Sequence, residues 1–129
     1  MIAIDTNVLV RLVVADDAEQ ARRARKLVEG NDVVVATTVL LESEWVLRSG
    51  YGFDRADISL AFRRFLGLPN VAPDAPAAVA AALDAYDAGL DFADALHLAA
   101  APRAKAFFTF DRRLVKVAKG SGFIVTAVP

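Results

Sequence analysis

Short apolar runs alternate with longer helical stretches along the whole of this chain, and few architectures accommodate that alternation. Residues 2–4 (Ile-Ala-Ile), 33–35 (Val-Val-Val), 106–109 (Ala-Phe-Phe-Thr) and 123–126 (Phe-Ile-Val-Thr) read as strands by their β-branched and aromatic content. Residues 69–76 carry three prolines and allow a short strand at most, within a loop. Helices are expected over 7–13, from a cap at Asp16 or Asp17 to 29, and over 38–49, where Gly50-Tyr51-Gly52 stops the run. Asp54 and Asp57 stand at capping spacing for a helix ending at Gly67. Three more are expected: over 77–88, from Asp91 to before Pro102, and over 112–119.

Strands separated by helices imply a parallel sheet covered on both faces, in an α/β domain. At 129 residues the chain fits one domain, residues 1–129, with no linker or repeat. In such sheets ligands sit beyond the carboxyl ends of the strands. Asp5 follows the first strand and Asp111 follows the strand over 106–109, so both acids hold that address.

Two further acids lie within apolar helices. Glu44 has Arg48 one turn on and reads as an ordinary surface pair worth a few tenths of a kcal/mol. Glu42 has Thr38, Val39, Trp45 and Val46 as its one-turn neighbours, and a carboxylate on that stripe is costly to bury alone. A group at the core edge reaching water, a metal ligand and a general base all fit that position. Asp94 lies in Phe92-Ala93-Asp94-Ala95-Leu96-His97, apolar on almost every face, yet with Asp91 it also has capping-box spacing. Asp5 and Asp111 could each equally be helix caps.

Composition narrows the chemistry. The chain has no cysteine, one histidine (His97), 12 Asp and 4 Glu. Thiolate sites, disulfides, thiol nucleophiles and histidine-pair mechanisms are excluded, and the absence of cysteine suits a reducing compartment. Oxygen donors remain, and these select hard cations such as Mg²⁺ or Mn²⁺. If the four acids converge, each pair about 4 Å apart repels by roughly 4 kcal/mol at an effective dielectric of 20, so the cluster demands protons or a divalent cation. A net charge of −1 rules out nucleic-acid binding by overall positive charge. Local basic groups remain available: Arg112 and Arg113 flank Asp111 and suit phosphate contact, whereas residues 22–26 read as a solvated helix face. No secretory leader and no membrane-spanning run are evident, so a cytoplasmic protein is expected.

Ile4-Asp5-Thr6-Asn7-Val8-Leu9, Glu42-x-x-Trp45-Val46-Leu47, Asp91-Phe92-Ala93-Asp94-Ala95-Leu96 and Thr109-Phe110-Asp111 together resemble the PIN-domain nucleases. More narrowly, they resemble the VapC-type toxins of type II toxin–antitoxin systems. The likeness spans nearly the whole chain, in order. It implies a three-layer sandwich with a central parallel sheet of about five strands flanked by helices. It also implies an acidic metal site and Mg²⁺-dependent endoribonuclease activity, with Mn²⁺ as a substitute ion. Matched residue by residue, Asp5, Glu42, Asp94 and Asp111 are the catalytic acids; Asp5 and Asp94 are direct ligands, and Glu42 and Asp111 complete the shell directly or through water. Asn7, Asp91 and Thr109 stand where supporting polar residues are placed. His97 lies one turn from Asp94 and fits either helix packing or a contact to that acid. The implied partners are an RNA substrate, a cognate antitoxin and a second copy of the chain, with Trp45, Tyr51, Phe53 and Phe62 as surfaces or as core.

Two rivals are weighed against this. A receiver-like phosphoacceptor module needs an aspartate at the end of a central strand, and Asp54 follows only the turn-like Tyr51-Gly52-Phe53. A binding module that keeps the PIN fold without catalysis sits poorly with an intact set of acids.

Overall fold

The computed structural model describes residues Met1–Pro129, which fall into two compact units, Met1–Pro76 and Ala77–Pro129. The first is organised around the valine run. β2 (Val33–Val35) is the middle strand of a three-stranded sheet, between β1 (Ile2–Ala3) and β3 (Val71–Pro73), and both pairings are parallel. Ile2 lies opposite Val33, which in turn lies opposite Val71. A parallel strand with a neighbour on each side is buried on both faces, which is why its residues are uniformly β-branched; Val33 and Val35 are fully buried. Pro73 is tolerated because β3 is an edge strand, where a missing N–H breaks no ladder.

The helices of this unit begin on side-chain caps. Asp5 caps α1 (Thr6–Val14), Asp17 caps α2 (Ala18–Glu29) and Asp54 caps α4 (Arg55–Leu66), each accepting from an amide three residues on. α1 ends at Ala15, whose φ of 54° puts a non-glycine residue in the left-handed region. α3 (Thr37–Trp45) continues without a break into a π-helical turn, Val46–Gly50. Its buried positions are Leu40, Ser43, Glu44 and Leu47, the i, i+3, i+4, i+7 stripe of an inward helix face with two polar residues in it.

In the second unit, α5 (Pro76–Asp87) starts on a proline, whose fixed φ suits a first helical turn. α6 (Phe92–Ala99) follows after Gly89, whose φ of 112° only glycine adopts without strain. Tyr86 and Phe92 meet edge-to-face with ring centroids 5.0 Å apart, both fully buried. β4 (Phe107–Thr109) and β5 (Val125–Ala127) form a two-stranded parallel sheet, joined by α7 (Arg112–Val117), which packs on both strands.

The mixed α/β class and the parallel strands agree with the expectation from sequence. The five expected strands are present but divide into sheets of three and two, so the expected single sheet matches only roughly in size. No helix is long and apolar enough to cross a membrane.

Candidate active site

In the first unit the acids stand where parallel strands end. β1 runs into Asp5, and its neighbour β2 runs into α3, which carries Glu42. The Asp5 Oδ1 accepts from the Val8 amide at 3.3 Å, a long cap bond that leaves the exposed carboxylate its other oxygen. The hydroxyl of Thr6, a buried residue, donates to Glu42 Oε1. That bond ties the start of α1 to the middle of α3, two helices that pack on each other. Asn7 is exposed and lines a groove of about 370 Å³ between α1 and α2, with Arg11 and Arg23 also in its wall. Arg22, Arg23, Arg25 and Lys26 are all exposed, as expected of a solvated helix face, and Arg22 pairs with Glu19 at 2.9 Å.

Of the two glutamates of α3, Glu42 reaches water, one of the environments open to it, and Glu44 makes the expected pair with Arg48 but as a buried group and not a surface one. Glu42 is exposed, and Glu44 is buried, its carboxylate taking two hydrogen bonds from the Arg48 guanidinium at 2.8 and 3.3 Å. Hydrophobic neighbours are a poor guide here: Trp45 lies on the solvent side at 60% exposure, while the buried stripe runs through Leu40 and Leu47 and carries Glu44 inward. Ser43 shares that stripe, and its hydroxyl has no hydrogen-bond partner.

A second acid at a strand end is not foreshadowed by any sequence motif. Asp74 follows β3 and accepts at Oδ1 from both the amide and the hydroxyl of Thr37, at 3.1 and 2.6 Å, so it caps α3 from 37 residues away. Those bonds, chiefly the Thr37 hydroxyl, hold the Asp74 carboxyl below the usual range, against some burial. Ala36, which precedes α3, supplies no cap of its own. The sequence contains the two ends of this contact, but only the β2–β3 register brings them together.

The second unit gathers three acids. Asp91 caps α6 by accepting from the Asp94 amide at 3.2 Å, which leaves the Asp94 carboxylate free of that duty. Asp94 is half-buried, and burial pushes its carboxyl up; the charges of Asp91 and Asp111 push the same way, and His97 opposes them. Asp111 spends Oδ1 on the Arg113 and Leu114 amides, at 2.9 and 3.1 Å, as the cap of α7. The Thr109 hydroxyl accepts from the Asp111 amide at 2.9 Å and so fixes the turn between strand and helix. Arg112 and Arg113 are exposed on the first turn of α7. Each acid is thus both a cap and a carboxylate with an oxygen to spare, except Asp94, which caps nothing.

As the side chains stand, no three acidic or imidazole groups surround one point at ligating distance. The donor chemistry nevertheless fits a hard divalent ion: oxygen ligands only, with Asp94 held in an environment that disfavours its charge unless a cation is supplied.

The phosphoacceptor alternative loses its residue here. Asp54 caps α4 by accepting from the Asp57 amide at 2.8 Å, and the middle strand β2 ends on Ala36, not on an acid.

The family model described as the PIN domain matches residues 2–120. No curated protein and no solved structure matches the chain significantly.

Proposed function

The chain belongs to the PIN-domain family, whose members are generally nucleases that use divalent metal ions, and from that premise we propose that it is a Mg²⁺-dependent endoribonuclease. The observation that carries this reading is the second-unit cluster, in which Asp91 and Asp111 press on a half-buried Asp94. Burial and this repulsion both disfavour the charge on Asp94, and a bound cation would offset them.

On this reading Asp94 and Asp5 bind the ion, with Glu42 and Asp111 holding it directly or through water, and Mn²⁺ can replace Mg²⁺. Held by these carboxylates, a divalent ion would supply Lewis-acid chemistry toward a phosphodiester and an activated water. The protein's own groups do the positioning. Thr6 holds the Glu42 carboxylate to one orientation. Asp91 keeps the first turn of α6 in place under Asp94, and Thr109 does the same for Asp111. Arg112 and Arg113 take substrate phosphates as paired hydrogen-bond forks, and Asn7 offers an amide beside Asp5. His97 tempers the charge on Asp94.

As the toxin of a toxin–antitoxin pair, the protein would be held inactive in the cytoplasm by an antitoxin covering the proposed catalytic acids, and would form homodimers. Trp45 and Tyr51 are exposed enough to serve such contacts, whereas Phe62 is fully buried and belongs to the core. The test of the enzymatic reading is cleavage of RNA by protein freed of metal with EDTA and then given Mg²⁺ or Mn²⁺. Restored cleavage supports it; cleavage that ignores the ion, or none under any ion, overturns it.

A further inference from the structure

We propose that Phe110, together with Phe108, is a stacking platform for a nucleobase of the strand bound at Asp111. This rests on the nuclease reading above and adds a substrate-binding element to it.

Phe110, in the bend that directly follows β4, is 86% exposed, and Phe108, two residues earlier on β4, is 59% exposed. Ile124, 66% exposed, lies just before β5 and accepts from the Phe107 amide at 2.8 Å, which places it on the adjacent strand. Single exposed apolar residues need no explanation; three large ones in and beside one two-stranded sheet do. The backbone beneath Phe110 is fixed on the side of the acid, because the Thr109 hydroxyl holds the Asp111 amide and Asp111 caps α7. Phe110 therefore presents its ring immediately before a proposed catalytic carboxylate.

The charge of the chain on either side of Phe110 decides what covers its ring, Arg112 and Arg113 following two residues on. Arg103, Lys105, Arg112, Arg113, Lys116 and Lys119 are all exposed and make no ion pair, and Asp111 is the one acid among them. A second copy of the chain would bring the same cations against themselves across a two-fold interface, and interface cores are depleted of charge. A polyanion with flat apolar bases matches both features: phosphates meet the cations and a base meets the ring.

The test is titration of a fluorescein-labelled single-stranded RNA with the full chain, Ca²⁺ replacing Mg²⁺ to keep the strand uncut. Phe110→Ala weakens binding about tenfold or more, by loss of one stacked base, and Phe110→Trp restores it. The slope of log Kd against log salt stays unchanged in Phe110→Ala, because no phosphate contact is lost, and falls by about 0.7 in Arg113→Ala. A 2-aminopurine in the strand is quenched by wild type and not by Phe110→Ala. Because the ring is so exposed, the variant melts within about 2 °C of wild type. An unchanged Kd in Phe110→Ala overturns the platform. So does a change in sedimentation from dimer to monomer with RNA affinity intact, which would give this face to a second copy. If wild type cuts RNA while Phe110→Ala binds normally, the platform alone falls; if wild type cuts no RNA with Mg²⁺, the nuclease reading falls.

Discussion

Thr6, buried at the start of α1, donates its hydroxyl hydrogen to the exposed carboxylate of Glu42 on α3. One residue before it, Asp5 caps α1, so this bond links the start of α1, beside one proposed active-site acid, to another on α3. Thr6→Val keeps the shape and removes the donor. Glu42 can still be hydrated, so stability should change by less than about 1.5 kcal/mol. RNA cleavage should fall about tenfold or more in kcat, the equivalent of about 1.4 kcal/mol of lost orientation, with Thr6→Ser close to wild type. Equal kcat in Thr6→Val and wild type would show the bond to be incidental.

The Asp74–Thr37 contact predicts a dependence on acid. Asp74 titrates below its ordinary 3.8 when folded, so its stabilisation is full above that value and is lost as pH falls through the folded value. Asp74→Ala should cost about 0.5–2 kcal/mol at pH 7, toward the low end because the group is exposed. Denaturant midpoints taken from pH 7 down to 3 should converge for variant and wild type. A constant gap across that range would refute the cap.

Asp94 carries the opposite sign. Its carboxyl is raised in the folded state, so the ionised form costs stability at neutral pH, and that cost fades as pH falls toward and below 3.8. Metal-free Asp94→Asn should melt higher than metal-free wild type at pH 7, match it at low pH, and cleave no RNA. A lower melting temperature for the variant at pH 7 would mean that Asp94 is a structural partner rather than a strained one.

Glu44 and Arg48 give a test of packing. Arg48→Ala withdraws two hydrogen bonds from a carboxylate whose side chain is 3% exposed, and should destabilise by about 1–3 kcal/mol. Adding Glu44→Gln should recover part of that loss, a coupling readable from a double-mutant cycle in urea. Strict additivity would mean that the pair does not interact.

What could be foreseen from the chain follows the range of each signal. The strands at 33–35 and 107–109, the caps at Asp5, Asp17, Asp54, Asp91 and Asp111, and the acids themselves are local, and local chemistry determines them. Glu42 stands out in the sequence for a partly wrong reason, because α3 buries Leu40, Ser43, Glu44 and Leu47, and a stripe half made of polar residues cannot be told by hydrophobicity. Asp74 is silent in the sequence because its meaning depends on Thr37, brought to it by strand register. The division of five strands into sheets of three and two depends on long-range pairing in the same way.

We propose that Asp5 and Asp94 are each required for metal-dependent cleavage of RNA. The most direct measurement is the initial rate on a fluorophore–quencher RNA in Mg²⁺ for wild type, Asp5→Asn, Asp94→Asn and the double variant. Each single variant should lose about a hundredfold or more, and the double variant should lose little beyond either, because residues that act as a unit are not additive. Equal rates in all four proteins, or full activity in Asp5→Asn beside an inactive Asp94→Asn, would contradict it.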